Sequence, residues 1–555
     1  MTTDHCRPAG LTARCSAAAV EMAVVLAFAW AITGAGRIGN RYIPFELTFL
    51  LAWVAQSGLC TVCERRTPGK WLLGLTVQRV RGGQPSVPRL IARETAGRLV
   101  ALLPLGLGLW WIGLPPAKRG WHDYLAGTRV ILEPATAWRR RWAMRIVALG
   151  TVIVLGYILA PRARLCARAA RMAPSAVEIP TVLTPVREVN SVTRAEYSGL
   201  ARWLDIHGQQ PDEYAVATAA KHQLTIFGEY HHVADNLRFL MRIIPALYHR
   251  AGVRRLAMEA LVSDDNAALQ RLVTASQFDR GQAVALARHE GWKSWGSREY
   301  LDVLEAVWRL NHTPPAEQSP LLVIGLDREW DLPSWSLVGV GDDARPGPWW
   351  ERLRLVRVLP DLPLMGRRDE LMAWQLEQEV FAKRLRAVVW VGAAHAYTDY
   401  AQPVVFGDSS SARRHRMGSI LRRRHGDQVC HLRLHDSTFE APALVALIEA
   451  VQAARGDAAV GFDIADSPFA ALRDGGGLEF RRDPAARWAD LATGYLYLKP
   501  LRAQHHCAWE TGFITRAMFL RDKPYYEAQT GRRLTDAVEA DAALRRQWED
   551  QRPGQ

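Results

Sequence analysis

Cysteine is scarce: seven residues in a chain of 555, scattered, with no second pair to accompany Cys60 and Cys63. A structural zinc site needs a denser arrangement, so none is expected from the cysteines. Cys430 and Cys507 remain as a pair that would join if their region lies outside the cytoplasm. The sequence has no HExxH, the spacing that marks a zinc hydrolase, and no GxSxG to present a seryl nucleophile. It has no nucleic-acid motif and no basic stripe interleaved with aromatics, so the net charge of +14 is not read as a nucleic-acid footprint. No small-residue cleavage pattern precedes the first apolar run, which favours a retained segment over a removable signal peptide. Beyond about residue 192 no apolar run is long enough to cross a bilayer.

The apolar residues, 49% of the chain, crowd instead into the first third. Cys15 to Ala35 is apolar except for Glu21, and Leu47 to Val62 is uncharged. Leu99 to Ala117 is uncharged but carries Pro104 and three glycines, and Ile146 to Pro161 sits between arginine clusters. Arginines flanking such runs set topology and touch anionic lipid. These features predict an α-helical membrane domain over residues 1–172 with three to four hydrophobic segments, in a bacterial-type inner membrane, with the lipid bilayer as partner. A Pro-containing linker follows over 173–191. The positive-inside rule places both loops around the third run in the cytoplasm, which makes that run re-entrant and the C-terminal domain extracytoplasmic.

Two basic segments of this region carry a resemblance. Arg14 near the first run, TPGKWLLGLTV (Thr67 to Val77) and RGWHDYLAGT (Arg119 to Thr128) are similar to the RDD family of small polytopic membrane domains, over roughly residues 10 to 135. Arg14 and Asp123 match the family's arginine and second aspartate, and Glu21 replaces the first aspartate. The resemblance implies a functional or paired role for Arg14, Glu21 and Asp123. An ionisable residue in a span is costly unless paired, so Glu21 is expected to pair with Arg14 or with a residue of another span, or to serve the passage or sensing of a solute.

From residue 192 to 555 the pattern changes. Short near-continuous apolar runs alternate with amphipathic stretches: LTIFGE (224–229), RRLAMEA (254–260), LLVIGLD (321–327), AVVWVGAAH (387–395), QVCHLRLH (428–435) and AAVGFDIADS (458–467). Such runs predict an α/β domain, its mainly parallel sheet covered by helices on both faces. Four of the runs end in ionisable residues: Glu229 with His231 and His232, Glu259, Asp327, and His395. Ligands of open parallel sheets bind outside the carboxyl ends of the strands, so these residues are expected to line one cleft.

GEYHH (228–232), AMEA (257–260), GRRDELMA (366–373) and VGAAH (391–395) resemble the superfamily that groups erythromycin esterases, ChaN-like haem-binding proteins and Tiki/TraB-type proteins. The helix-like SWGSREYLDVLEAVWRLN (294–311) is similar to the esterase branch. Two functions follow. One is a hydrolase acting on an ester or amide of a small molecule or peptide. In it His232 or His231 activates water beside Glu229 or Glu259, with His395 opposite; Arg368 stabilises the oxyanion and Asp369 holds Arg368. A divalent metal on His231, Glu259 and His395 would suit the same site. The other is a carrier of haem, with Tyr230 or Tyr397 as candidate ligands. His395→Ala and His232→Ala are each expected to remove hydrolysis without unfolding the protein.

Overall fold

The computed structural model divides the chain into two compact units, Met1–Pro161 and Arg162–Gln555. It describes residues 7–21, 25, 67–97, 100, 111–114, 116–133, 138, 142 and 145 of the first, and 163–172, 186–289, 296–313, 319–328, 367–403, 413–436, 441–477, 480, 483 and 485–550 of the second.

In the first unit, β1 (Arg7–Pro8), β2 (Leu75–Arg79) and β3 (Thr128–Leu132) form an antiparallel sheet in the order β1-β3-β2. Two short helices, α1 (Pro68–Leu72) and α2 (Trp121–Leu125), and a helical stretch over 11–21 accompany it. Ala9, Ala17, Leu75, Val77, Leu90 and Val130 make the core. This corrects the expected helical membrane domain: among the described residues no helix is long and apolar enough to cross a membrane. The described residues of this unit instead form short elements: α1 opens at Pro68, α2 follows Gly120, and each runs five residues before an antiparallel strand. The runs at 47–62 and 146–161 lie outside the described residues, as do most of the runs at 15–35 and 99–117, Cys60, Cys63 and most of the 173–191 linker.

Of the residues singled out here, Arg14 pairs with Asp123, and Glu21 is bonded by Thr67. Arg14 Nη1 meets Asp123 Oδ2 at 2.5 Å, and Arg93 Nε donates to Asp123 Oδ1 at 3.0 Å. Arg93 also pairs with Glu94, which accepts from Lys70 Nζ at 2.9 Å. Glu21 accepts from the Thr67 hydroxyl. The TPG sequence thereby acquires a cause. Thr67 bonds Glu21, Pro68 opens α1, and a Cβ on Gly69 would lie 2.1 Å from the Ala17 carbonyl oxygen.

The second unit is built on seven strands: β4 (Leu224–Glu229), β5 (Val253–Val262), β6 (Leu322–Asp327), β7 (Arg386–Gly392), β8 (Val429–Leu434), β9 (Val460–Asp463) and β10 (Gly494–Tyr497). Their order is β9-β10-β8-β4-β7-β5-β6, parallel throughout except for β9 on β10. Side chains alternate between faces along each strand. Phe227, Met258, Val388 and Trp390 pack on one face with Leu240 and Ile244 of α3 (Ala234–His249) and Leu301 and Val307 of α4 (Arg298–Asn311). Ile226, Ala257, Val389 and Val391 pack on the other with Met372 and Leu376 of α5 (Arg368–Leu376) and Met417 and Ile420 of α6 (Met417–His425). The α/β sheet with helices on both faces is therefore present. Residues 163–172 belong to this unit, where Met172 joins the second of these cores. Cys430 and Cys507 are both buried free thiols, and Cys430 Sγ lies 3.5 Å from Thr225 Oγ1. The disulfide considered for them is absent.

Candidate functional site: two carboxylate-backed histidines at the strand ends

The carboxyl ends of β4, β5, β6 and β7 bring the expected groups together, and three features of the backbone do the aiming. β4 ends at Glu229, and its final pair, Glu229 opposite Gly392, sets the GEYHH segment beside the end of β7. Within β5 the register shifts between Met258 and Val262, an irregularity that re-aims a side chain and here spans Glu259. At the end of β7 the chain passes directly into a one-turn helix, Ala393–Ala396, which carries His395.

Glu259 is the centre. It is 3% exposed, and its Oε2 accepts the Gly392 backbone N–H at 2.7 Å. His395 Nε2 lies 3.6 Å from its Oε1 and His231 Nε2 lies 3.9 Å from its Oε2. Each imidazole is backed by its own carboxylate: His395 Nδ1 is 2.6 Å from Asp369 Oδ1, and His231 Nδ1 is 3.2 Å from Glu229 Oε1. Arg368 closes the group. Its Nη2 donates to Glu259 Oε1 at 2.6 Å, its Nε donates to Asp327 Oδ2 at 2.9 Å, and its Nη1 stands 3.2 Å from His395 Nε2. Gly392 is required here, because a Cβ at that position would meet His231 Nε2 at 2.9 Å.

Burial sorts these groups into two layers. The side chains of Glu229, Glu259, Asp327 and Asp369 are 1%, 4%, 1% and 0% exposed, whereas His231 is 33%, Arg368 18% and His395 12%. Acid–base groups and a cation face outward; carboxylates sit behind them. Electrostatics follow. Burial would raise the Glu259 pKa, but Arg368, His395, His231 and the Gly392 N–H together lower it to about 2. Asp369, buried beside His395, Arg416 and Arg414, is held far below the usual carboxylate range. Burial alone would depress His231, but its hydrogen bond to Glu229 and the charges of Glu259 and Glu229 outweigh that and raise its pKa. Because Arg368 has only donors, its approach to His395 Nε2 fixes the unprotonated nitrogen there and puts the ring proton on Nδ1, facing Asp369.

Two sequence assignments change. His232 is turned away from this cluster. Its φ is +69°, uncommon for a residue with a side chain. Its Nδ1 meets Ser297 Oγ at 2.9 Å, and its ring packs beside Tyr300, His506 and Trp548. Burial, with His231 and His506 nearby, pushes its pKa well below the ordinary value. Asp369 does not hold Arg368; it holds His395, and Asp327 takes the guanidinium.

The metal set of His231, Glu259 and His395 does not converge on an open point. The inner oxygen of Glu259 and the His395 Nε2 both face the Arg368 guanidinium, and among the described residues no cluster of three or more His, Cys, Asp or Glu is arranged to hold a metal ion. Of the haem candidates, Tyr230 is 38% exposed, while Tyr397 is 2% exposed and packs with Tyr400 inside a hydrophobic cluster. An iron ligand at Tyr397 would require that cluster to open.

Sequence reasoning missed several participants. Tyr300 donates its hydroxyl to Glu229 Oε1, and Glu229 Oε2 is buried without a hydrogen-bond partner among the described residues. Arg416 Nη1 and the Met417 N–H both bond Asp369. The signal for Tyr300 was available in the SREYLDVLEAVWRLN stretch, one turn into α4 on its buried stripe.

Residues 8–127 match the RDD family. Among curated proteins the chain is 31% identical over 98 residues to the uncharacterized membrane protein YteJ of Bacillus subtilis, an overlap of 17% of this chain. The chain spans 56% of that relative's length. Among solved structures, one similar to this chain is a protein of Bacillus cereus (12% identity, 49% of this chain, 86% of that chain, TM-score 0.34). Another is haem-bound ChaN of Campylobacter jejuni (12% identity, 40% of this chain, 84% of that chain, TM-score 0.25). The N-terminal part of the chain thus carries an RDD family domain, and the family match does not extend to the α/β unit that holds the site.

Proposed function

We propose that the second unit hydrolyses an ester or amide bond with water, using His395 as general base, His231 as general acid and Arg368 as the oxyanion partner. The supporting observation is the opposed environment of two imidazoles set against one carboxylate. His395 carries its proton on Nδ1 and offers a lone pair at Nε2, which suits a base; His231 is drawn toward the protonated form by Glu229 and Glu259, which suits an acid. In the reaction Arg368 Nη1 turns from His395 Nε2 to the carbonyl oxygen, and the freed Nε2 takes a proton from water as the water oxygen bonds to the carbonyl carbon. The carbonyl electron pair moves onto oxygen, where Arg368 stabilises the charge. That pair then returns, the bond to the leaving group breaks, and the leaving atom takes the proton of His231. Glu229 and Asp369 act as positioning residues.

The RDD domain and its membrane-protein relative support a location at a membrane for this chain, tested by asking whether it sediments with membranes and is released by salt, by alkali or only by detergent. For the chemistry, His231→Ala and His395→Ala are each expected to lower turnover of an activated ester at least about a hundredfold, the scale of one general acid or base. Circular dichroism should show both variants folded. Full turnover in either variant would reject the roles, and a haem absorption band in a protein without turnover would favour a carrier instead.

A further inference from the structure

Asp369 is shared. One of its oxygens fixes His395; the other faces two arginines. Arg416 is fully engaged there: Nη1 donates to Asp369 Oδ2 at 3.1 Å, and Nε donates to Gln402 Oε1 at 2.6 Å. Arg414 is not. It lies on a short antiparallel ladder, Ala401–Pro403 with Arg413–His415, opposite Gln402. Its Nη2 stands 3.4 Å from Asp369 Oδ2, its side chain is 33% exposed, and its buried Nε has no hydrogen-bond partner among the described residues. Glu370, the next residue along α5, forms no ion pair with it among the described residues, but the Arg414 charge acts on the Glu370 carboxyl.

Asp369 already accepts from His395 Nδ1, the Met417 N–H and Arg416 at 2.6–3.1 Å, and Arg414 adds only the looser 3.4 Å ion-pair contact. The second guanidinium is therefore in surplus. It is partly open to solvent, and a buried donor left without an acceptor is unfavourable. A guanidinium edge of this kind presents paired N–H groups that match the two oxygens of a carboxylate or phosphate.

We propose that Arg414 forms an anion-binding subsite beside His395, which takes a carboxylate or phosphate group carried by the substrate. For its part in turnover this rests on the hydrolysis proposed above; for binding it does not. The substrate would then be an anionic ester or amide, its charge held on Arg414 while its carbonyl meets His395 and Arg368, two residues tied to the same buried Asp369–Glu259 framework.

The test uses the full chain. Inorganic phosphate and acetate are titrated by calorimetry against the wild type and Arg414→Gln, with circular dichroism as the fold check. Saturable binding to the wild type, weakened about tenfold or more in the variant, is expected, since a hydrogen bond to a charged group contributes about 1.5–3 kcal/mol. No binding to the wild type, or equal binding to both, would overturn the subsite. Should the variant lose its fold, the wild type alone decides: phosphate should slow phenylglyoxal modification of Arg414, read by mass spectrometry, and unchanged labelling refutes the proposal. With an ester substrate, kcat/KM should favour a carboxylate-bearing compound over its methyl-ester analogue, and Arg414→Gln should erase that preference. Anion binding as expected in a protein that turns over no ester or amide would sink the hydrolase reading and leave the subsite standing.

Discussion

Removing Arg368 tests how the site is held together. In Arg368→Met the side-chain volume is nearly kept, but Glu259 and Asp327, at 3% and 1% exposure, lose their shared cation. Breaking a buried pair by deleting one partner costs about 3–5 kcal/mol. The electrostatics fix how that cost changes with pH. The Glu259 carboxyl sits at about 2 rather than 4.5, first opposed by burial and then lowered chiefly by Arg368. That lowering pools Arg368 with His395, His231 and the Gly392 N–H against burial, and it means that the ionised carboxylate contributes stability at neutral pH. The sign follows from the direction. A depressed carboxyl stabilises the fold above its unfolded pKa, and the contribution is lost as pH falls from about 4.5 through about 2. In the variant the same carboxyl is left to burial, which raises its pKa, so acid protonates it and relieves the penalty. Urea unfolding followed by tryptophan fluorescence should therefore show a loss of about 3–5 kcal/mol at pH 7 that narrows steadily below about pH 5. A loss independent of pH, or no loss at all, would refute the account of Arg368 as counterion to Glu259.

Two smaller substitutions separate site geometry from stability. Gly392→Ala places a methyl 2.9 Å from His231 Nε2, a ring one-third exposed and able to move. Turnover of the test ester should fall while the urea midpoint shifts by no more than about 1 kcal/mol, and an unaltered rate would show that His231 is not positioned by this contact. Gly69→Ala puts its methyl 2.1 Å from a backbone oxygen, which cannot step aside. Limited proteolysis of the first unit should accelerate markedly, with the second unit's fragments unchanged; resistance equal to wild type would reject the close approach to Ala17.

The sheet of the second unit was legible because burial on two faces demands apolar residues at every position, and LTIFGE and AVVWVG satisfy that without alternation. The gap was β10. GYLY is four residues long, flanked by no strong turn signal, and its place between β8 and β9 depends on pairing with Leu432 to Leu434. Nothing local distinguishes such a segment from a loop. The first unit failed for a different reason. Run length measures hydrophobicity alone, whereas among the described residues the strands β2 and β3 and the network around Asp123 organise the chain. TPGKW and RGWHD carry that information as close contacts and ion pairs, which periodicity does not register.

At the site, the rule that parallel strands deliver ligand groups at their carboxyl ends located Glu229, Glu259, Asp327 and His395; it does not specify partners. One partner was decidable from helix geometry. Arg368 and Asp369 are neighbours at the start of α5, and successive residues on a helix point roughly 100° apart, so a side chain there does not turn back on the one beside it. Asp369 had to look elsewhere, and the buried side of α5 offered His395 while Arg368 swung to Asp327. The choice between His231 and His232 was not decidable in the same way. They are adjacent in a turn, and which ring enters the cleft depends on the left-handed backbone at His232, held by Ser297, by Tyr300 and by the Cys507 N–H on its carbonyl. Those partners lie tens to hundreds of positions along the chain. A motif that tolerates either histidine spacing therefore says where an imidazole will be. Only the packing around the strained residue decides which one it is.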